Sequence, residues 1–157
     1  MLEQVPQAVF VCPPLAGDPE AERWVDELGL RASTHLWPRL DRGQMLSLLR
    51  SAQVYVSPSI HDGTPNSLLE AMACGCFPVV GKVESLQEWI RDGENGLLVD
   101  AASPRSLANG IIMALNDDSL REAAKNKNAR NIADRAEYRH CMAMVEAFYR
   151  DLLADEG

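Results

Sequence analysis

The sequence has 157 residues, 46% of them hydrophobic and 24% charged, which suits one globular domain with a single core. Its formal net charge of −8 excludes a general attraction for nucleic acid or anionic lipid, so any phosphate ligand must be held by local groups. No segment approaches the ~20 apolar residues of a membrane span. The N-terminus lacks the basic region of a secretory signal, and we therefore expect a cytoplasmic protein.

Short apolar runs alternate with helical patterns along the first two thirds of the sequence, which predicts βαβ units around a mainly parallel sheet. The predicted strands are 8–12, 32–37, 53–57, 77–80 and 96–99. Helices are predicted to begin at Asp18-Pro19, at Asp41 and at Ser103-Pro104, and to cover 65–74 and 85–91. Everything after the last strand has a helical pattern. The fold class is therefore α/β, a Rossmann-like three-layer sandwich with C-terminal helices, in one domain spanning 1–157.

Both ends of the sequence carry a feature of their own. Few residues precede the first predicted strand, so any further strand that the sheet needs ahead of it is not in this sequence. Near the other end, the last helix repeats apolar residues at helical spacing, which predicts an exposed apolar strip and self-association. The stripe consists of Tyr138, Cys141, Met142, Val145, Phe148, Tyr149 and Leu152.

The four cysteines are too few and too irregularly spaced for a disulfide framework. Cys74 and Cys76 form a C-x-C pair, but no His or second Cys pair stands at zinc-like spacing. We interpret them as small apolar residues at a helix end and a strand start, and we predict no metal site.

The segment SPSIHDGTPNSLLEAMACGCFPVVG, residues 57–81, combines a strand end, a loop and a helix start. Thr64-Pro65 is suited to the N-cap and first turn of a helix. A helix that begins just beyond the carboxyl end of a strand presents free N–H groups to a ligand, and this anion site works even on an acidic protein. Gly63 lets the backbone approach a ligand closely.

Two carboxylates lie on either side of this helix start. Asp62 is in the loop, and Glu70 is on the helix, so one could contact a sugar and the other a ribose. Two structural alternatives stay open on the residues alone. Ser67 and Glu70 match a capping box, in which Glu70 would only satisfy a backbone N–H. Asp62-Gly63 is also an ordinary turn pair.

The run PSIHDGTPNSLLEAMACGCFPVVG, followed by ESLQEWIRDGENGLLV, resembles the donor-binding C-terminal half of retaining GT-B glycosyltransferases. The similarity is to the glycogen-synthase-like and sucrose-synthase-like group, also called glycosyl transferase group 1. It implies that the chain is one half of a GT-B fold whose first strand precedes this sequence. In that family two acids bracket the donor: the first contacts the transferred sugar, and the second binds the ribose hydroxyls.

The resemblance assigns a role to each matching position. Asp62, which stands where the family has Glu, and Glu70 take the catalytic positions. The intervening donor-binding loop consists of Gly63, Thr64, Pro65, Asn66 and Ser67. From its own position at the end of the 77–80 strand, Lys82 is a candidate phosphate contact. We interpret Glu84 and Glu88 as acids that stabilise a helix start, and His61 as a solvated loop residue.

The reaction implied is transfer of a hexosyl group from a nucleoside diphosphate sugar to an acceptor hydroxyl with retention, in polysaccharide biosynthesis. Helix amides and basic side chains would stabilise the leaving diphosphate, so no metal or other cofactor is expected. The resemblance also implies an N-terminal partner domain that supplies basic residues. Without it, the fragment is expected to bind donor weakly and to be inactive. The rival hypothesis is a non-catalytic α/β nucleotide-binding or scaffold module; a phosphoacceptor regulator fits less well, because no acidic pair follows the first strand.

Overall fold

The computed structural model describes residues 1–61, 63 and 65–155. In these residues the strands are β1 (Phe10–Cys12), β2 (Thr34–Leu36), β3 (Val54–Ser57), β4 (Phe77–Gly81) and β5 (Leu97–Val99). The helices are α1 (Pro19–Glu27), α2 (Arg42–Ser51), α3 (Asn66–Ala73), α4 (Glu84–Gln87), α5 (Pro104–Asn116), α6 (Asp118–Arg135) and α7 (Tyr138–Asp155). The predicted α/β class and the helical C-terminal part are confirmed.

Local side-chain bonds explain where the predicted helices begin. The Asp18 carboxylate accepts two N–H groups of the first turn of α1. Asp41 forms a capping box at the start of α2, and Ser103 accepts a first-turn N–H of α5. Each bond satisfies a donor that the helix itself leaves free, so these starts are fixed by neighbouring residues in the sequence.

All the paired strands are parallel, but they form two sheets instead of the single predicted sheet. One sheet pairs β1 with β2, and the other has the order β3-β4-β5. No backbone bond joins β1 to β3, the end strands of the two sheets, so the predicted single sheet is divided at this point.

The core lies on both faces of β4, whose residues are all buried. Phe77 and Val79 pack with Ile111 and Ala114 of α5 on one face. Val80 packs on the other face, in a cluster that includes residues of α3 and α4. This alternation follows from the period of two in a strand, and it produces the predicted helix, sheet, helix layers.

Two helix boundaries differ from the prediction near the candidate site. α3 begins at Asn66 with Pro65 in the N-cap position, instead of covering 65–74. α4 covers only Glu84–Gln87, instead of 85–91. Its C-cap is Glu88, and Ile90, two residues further on, is buried in the core.

Candidate functional site

The start of α3 is the centre of the candidate site. β3 ends at Ser57, and α3 begins at Asn66, beyond the carboxyl end of that strand. Pro65 is buried and accepts the N–H of Leu69 through its carbonyl oxygen at 3.0 Å. Pro65 has no capping side chain, so the described residues leave the first N–H groups of α3 without a side-chain acceptor. This differs from α1, α2 and α5, and it leaves donors for an anion.

Ser67 lies inside the helix and does not cap it. Its hydroxyl is 2.8 Å from the phenol oxygen of Tyr55, a bond that ties the first turn of α3 to β3. The capping-box alternative for Ser67 and Glu70 is therefore wrong. The Glu70 side chain is exposed, and no described residue bonds to it. Its carboxylate is consequently available to a ligand.

A cleft of about 540 Å³ opens at the carboxyl ends of β3 and β4. Its walls come from the loop after β3 and from α4 with its flanking residues. It is lined by His61, Gly63, Val83, Glu84, Ser85 and Glu88. Carboxylate, hydroxyl and imidazole groups at this edge of a parallel sheet are suited to binding a polyhydroxylated ligand.

A close backbone contact joins the end of β4 to the loop that leads to the cleft. Gly81, at the end of β4, lies against the loop that follows β3, where a Cβ would overlap the carbonyl oxygen of Ser59. The hydroxyls of Ser57 and Ser59 are 3.1 Å apart in the same loop. The absence of a side chain at Gly81 therefore lets this loop pass over the strand end towards Gly63.

The predicted site residues do not all meet in this cleft. Gly63 lines it, whereas Asn66, Ser67 and Glu70 are exposed on α3 beside it. Lys82 is exposed directly after β4 and does not line the cleft either; its backbone N–H bonds to Val99. The predictions for Asp62 and Thr64 lie outside the described residues.

Three cleft residues were not predicted as ligand contacts. Glu84 and Glu88 were interpreted as helix-start acids and His61 as a solvated loop residue, but all three line the cleft. The sequence did contain a signal for Glu84, since it follows β4 at the same edge of the sheet as the loop after β3. The sequence contained no comparable signal for Glu88. Its position relative to the cleft depends on where the short α4 ends, which the sequence did not predict.

The cysteines have the predicted structural character. Cys74 is the C-cap of α3, and the buried Cys76 thiol donates to the carbonyl oxygen of Leu49 at 2.9 Å. Burial, with a smaller contribution from Cys74, raises the pKa of Cys76 to about 11, so this thiol stays protonated at neutral pH. No cluster of three or more metal-binding side chains occurs within 1–61, 63 and 65–155. No helix of that part is long and apolar enough to cross a membrane.

Parallel βαβ units with an uncapped helix start at the strand ends define a ligand-binding domain of the Rossmann-like class. Residues 14–131 match the family model for glycosyl transferases group 1. The chain therefore belongs to this family, and the resemblance inferred from the sequence is confirmed.

Curated relatives agree with the family assignment. The chain is 31% identical to a D-inositol 3-phosphate glycosyltransferase of Corynebacterium urealyticum over 139 residues, which are 87% of this chain and 32% of that protein. It is 36% identical over 86 residues to an N-acetylgalactosaminyltransferase of Campylobacter jejuni that acts on N,N'-diacetylbacillosaminyl-diphospho-undecaprenol, covering 54% of this chain and 23% of that one. The chain thus spans about a third or less of the relatives it matches.

Solved structures identify which part of those proteins it matches. Sucrose-phosphate synthase from Thermosynechococcus elongatus superposes with a TM-score of 0.79 at 26% identity, over 87% of this chain and 34% of that one. The C-terminal domain of LpcC, a group 1 glycosyl transferase of Francisella tularensis, gives 0.75 at 26% identity, over 87% and 74%. HepE of Anabaena, solved with UDP, shares the fold with a TM-score of 0.79 at 19% identity, over 96% and 44%. The chain corresponds to the C-terminal domain of a GT-B glycosyltransferase.

Proposed function

We propose that this chain provides the nucleotide-sugar-binding half of a glycosyltransferase that transfers a sugar with retention of configuration. The observation that carries the proposal is the uncapped start of α3 beside the cleft at the carboxyl ends of β3 and β4. Free helix N–H groups and the positive end of the helix dipole suit a diphosphate, even on a chain with a net charge of −8.

The diphosphate, the ribose and the sugar of the donor each contact a different group of residues around the helix start. The diphosphate lies against Gly63 and the first turn of α3. The exposed Glu70 accepts the ribose hydroxyls, since two vicinal hydroxyls match one carboxylate. The sugar enters the cleft towards Glu84 and Glu88, which repel phosphate but accept hydrogen bonds from hydroxyls. Asp62 also contacts the sugar in this proposal, and Lys82, which is exposed directly after β4, contacts the phosphate.

In the reaction, the bond between the anomeric carbon and the diphosphate oxygen breaks, and a bond to the acceptor oxygen forms. The acceptor hydroxyl passes its proton to the departing diphosphate oxygen, which keeps the electron pair of the broken bond. The α3 donors stabilise that leaving charge, so the chemistry needs no metal ion from this chain. A second domain completes the site by binding the acceptor, which the greater length of the relatives supports.

The test is the affinity of the chain for UDP, GDP and their glucose conjugates, measured by titration calorimetry on the parent chain and Glu70→Gln. UDP is the first nucleotide to titrate, because the structure of HepE, which shares the fold, was solved with UDP. A lost charge-assisted bond weakens binding by about 1.5–3 kcal/mol, roughly 10- to 150-fold. Glu146→Gln is the matched control, because Glu146 is exposed on the distant α7 and carries the same charge. Equal affinity in both variants would remove the ribose role, and no binding of any nucleotide would favour a scaffold module.

A further inference from the structure

Glu88 is a cleft residue that stands at the end of a very short helix. It is the C-cap of α4, which has only four residues, and its exposed side chain lines the cleft. Within 1–61, 63 and 65–155 no residue bonds to its carboxylate. The last carbonyl groups of a helix receive no donor from the helix itself. The orientation of Glu88 therefore depends on residues outside α4.

Arg135, in the last turn of α6, supplies such a support. Its Nη1 donates to the backbone carbonyl oxygen of Glu88 at 3.0 Å. The guanidinium carbon of the same side chain lies 4.1 Å from the centroid of the Trp89 ring. The hydrogen bond fixes a backbone atom, and the cation–π contact fixes the plane of the guanidinium. One side chain thus holds two consecutive residues at the end of α4.

Other contacts fix α6 against the same part of the chain. Ile132, one turn before Arg135, packs with Trp89 against one buried cluster of the core. The buried Asn128, a further turn back, accepts the side-chain N–H of Asn95 at 2.8 Å. Arg135 consequently extends from a helix whose position relative to the chain after α4 is already set.

Arg135 holds Glu88 without occupying the cleft. It is not among the residues that line the cleft, and its bond goes to a backbone oxygen of Glu88 instead of the carboxylate. The carboxylate therefore keeps its charge and its acceptor positions for a ligand. The supporting contact and the ligand-binding group lie on different atoms of Glu88.

We propose that Arg135 is a positioning residue, which holds the backbone of Glu88 so that the Glu88 carboxylate accepts a hydroxyl of the donor sugar. This role rests on the proposed function, in which the sugar enters the cleft towards Glu88. Without the guanidinium, the end of α4 loses its bond to α6, and the carboxylate must be ordered when the sugar binds. That ordering costs conformational entropy and weakens the contact with the sugar.

The test compares the affinities for UDP and UDP-glucose by titration calorimetry, or for GDP and GDP-glucose where the parent chain binds guanine. The ratio of the two affinities isolates the sugar from the nucleotide. Arg135→Ala should lower the affinity for the glucose conjugate by about tenfold. The affinity for the nucleotide alone should stay within about twofold, because an exposed Arg contributes little to stability. Arg130→Ala removes the same charge from an exposed position of α6 and should change neither affinity.

A double-mutant cycle tests whether Arg135 acts through Glu88. Glu88→Gln should lower the affinity ratio by itself, since it keeps the shape of the side chain and removes its charge. Adding Arg135→Ala to Glu88→Gln should lower the ratio by less than about twofold more, because the group that Arg135 positions no longer carries the charge. A structural role unrelated to Glu88 would instead give effects that multiply.

The outcomes separate this role from the proposed function. No binding of either nucleotide would contradict the proposed function, and the role of Arg135 with it. Nucleotide binding with an unchanged ratio in Arg135→Ala would overturn the role of Arg135 alone. Equal losses for the nucleotide and its glucose conjugate would also overturn it, because Arg135 would then support the whole domain, and so would multiplying effects in the double variant.

Discussion

Gly81 lies at a close contact between the end of β4 and the loop that leads to the candidate site. A Cβ at this position would overlap the Ser59 carbonyl oxygen and lie 3.3 Å from the Ala101 side chain. Because Ser59 precedes the donor-binding loop, a change at the end of β4 is transmitted to Gly63 through backbone atoms.

We therefore expect Gly81→Ala to displace this loop. Overpacking at a well-packed position costs about 1–3 kcal/mol of unfolding free energy, measured by denaturant titration, and nucleotide affinity should fall with it. Gly43→Ala is the control, since its Cβ would meet only a side-chain oxygen at 3.4 Å and alanine favours the helix. A Gly81→Ala variant that kept both stability and affinity would show that the loop has room to move.

At the scale of elements, α6 is joined to the turn before β5 by a buried amide pair. Asn128 is fully buried and donates to the Asn95 backbone carbonyl at 2.9 Å, while its own oxygen accepts the Asn95 side-chain N–H at 2.8 Å. Asn95 also bonds to the backbone of Trp89 and Arg91, so every polar atom of the pair has a partner. The network anchors the chain that follows α4, next to the cleft.

Asn128→Ala should lower the unfolding free energy by about 2–3 kcal/mol, because it leaves the buried Asn95 carbonyl without its donor. Urea unfolding followed by circular dichroism measures this loss. Asn126→Ala, two positions earlier on the exposed side of α6, is the control and should be neutral or slightly stabilising. Equal effects of the two substitutions would mean that the amide pair contributes nothing beyond helix propensity.

The elements that could be predicted from the sequence are those fixed by local bonds. Asp18, Asp41 and Ser103 act on N–H groups two or three positions away, so the helix starts were readable from neighbouring residues. The division into two sheets could not be predicted in this way. Strand pairing joins residues that are distant in the sequence, and it depends on what fills the space between β1 and β3. Likewise, the start of α3 was predicted to within one residue, whereas the approach of Glu88 to the cleft depends on packing after β4.

At the scale of the whole molecule, the predicted apolar strip of α7 is exposed. Phe148 and Tyr149 are 61% and 62% exposed, with ring centroids 5.9 Å apart, and Leu152 lies one turn further on. Exposed apolar surface of this kind is typical of interaction sites. Association of two copies through α7 stays a prediction.

Sedimentation equilibrium tests that association. The parent chain should show a concentration-dependent dimer, and Phe148→Asp should shift it to monomer, because a charge would be buried in the contact. Met113→Asp places the same charge on α5 at a residue 49% exposed and should leave the dimer intact. A dimer that survives Phe148→Asp would place the contact elsewhere, and a parent chain that is monomeric throughout would contradict the prediction.

The most direct test of the donor site is a titration of the isotope-labelled chain with UDP, followed through its backbone amide resonances. The account predicts shifts concentrated at Gly63, Asn66 and Ser67, where the helix start meets the diphosphate, and at Glu70, with α1 unaffected. Weak affinity does not obscure this result, since the method detects binding at millimolar concentration. Shifts confined to other parts of the chain, or none with any nucleotide, would contradict a donor site at the start of α3.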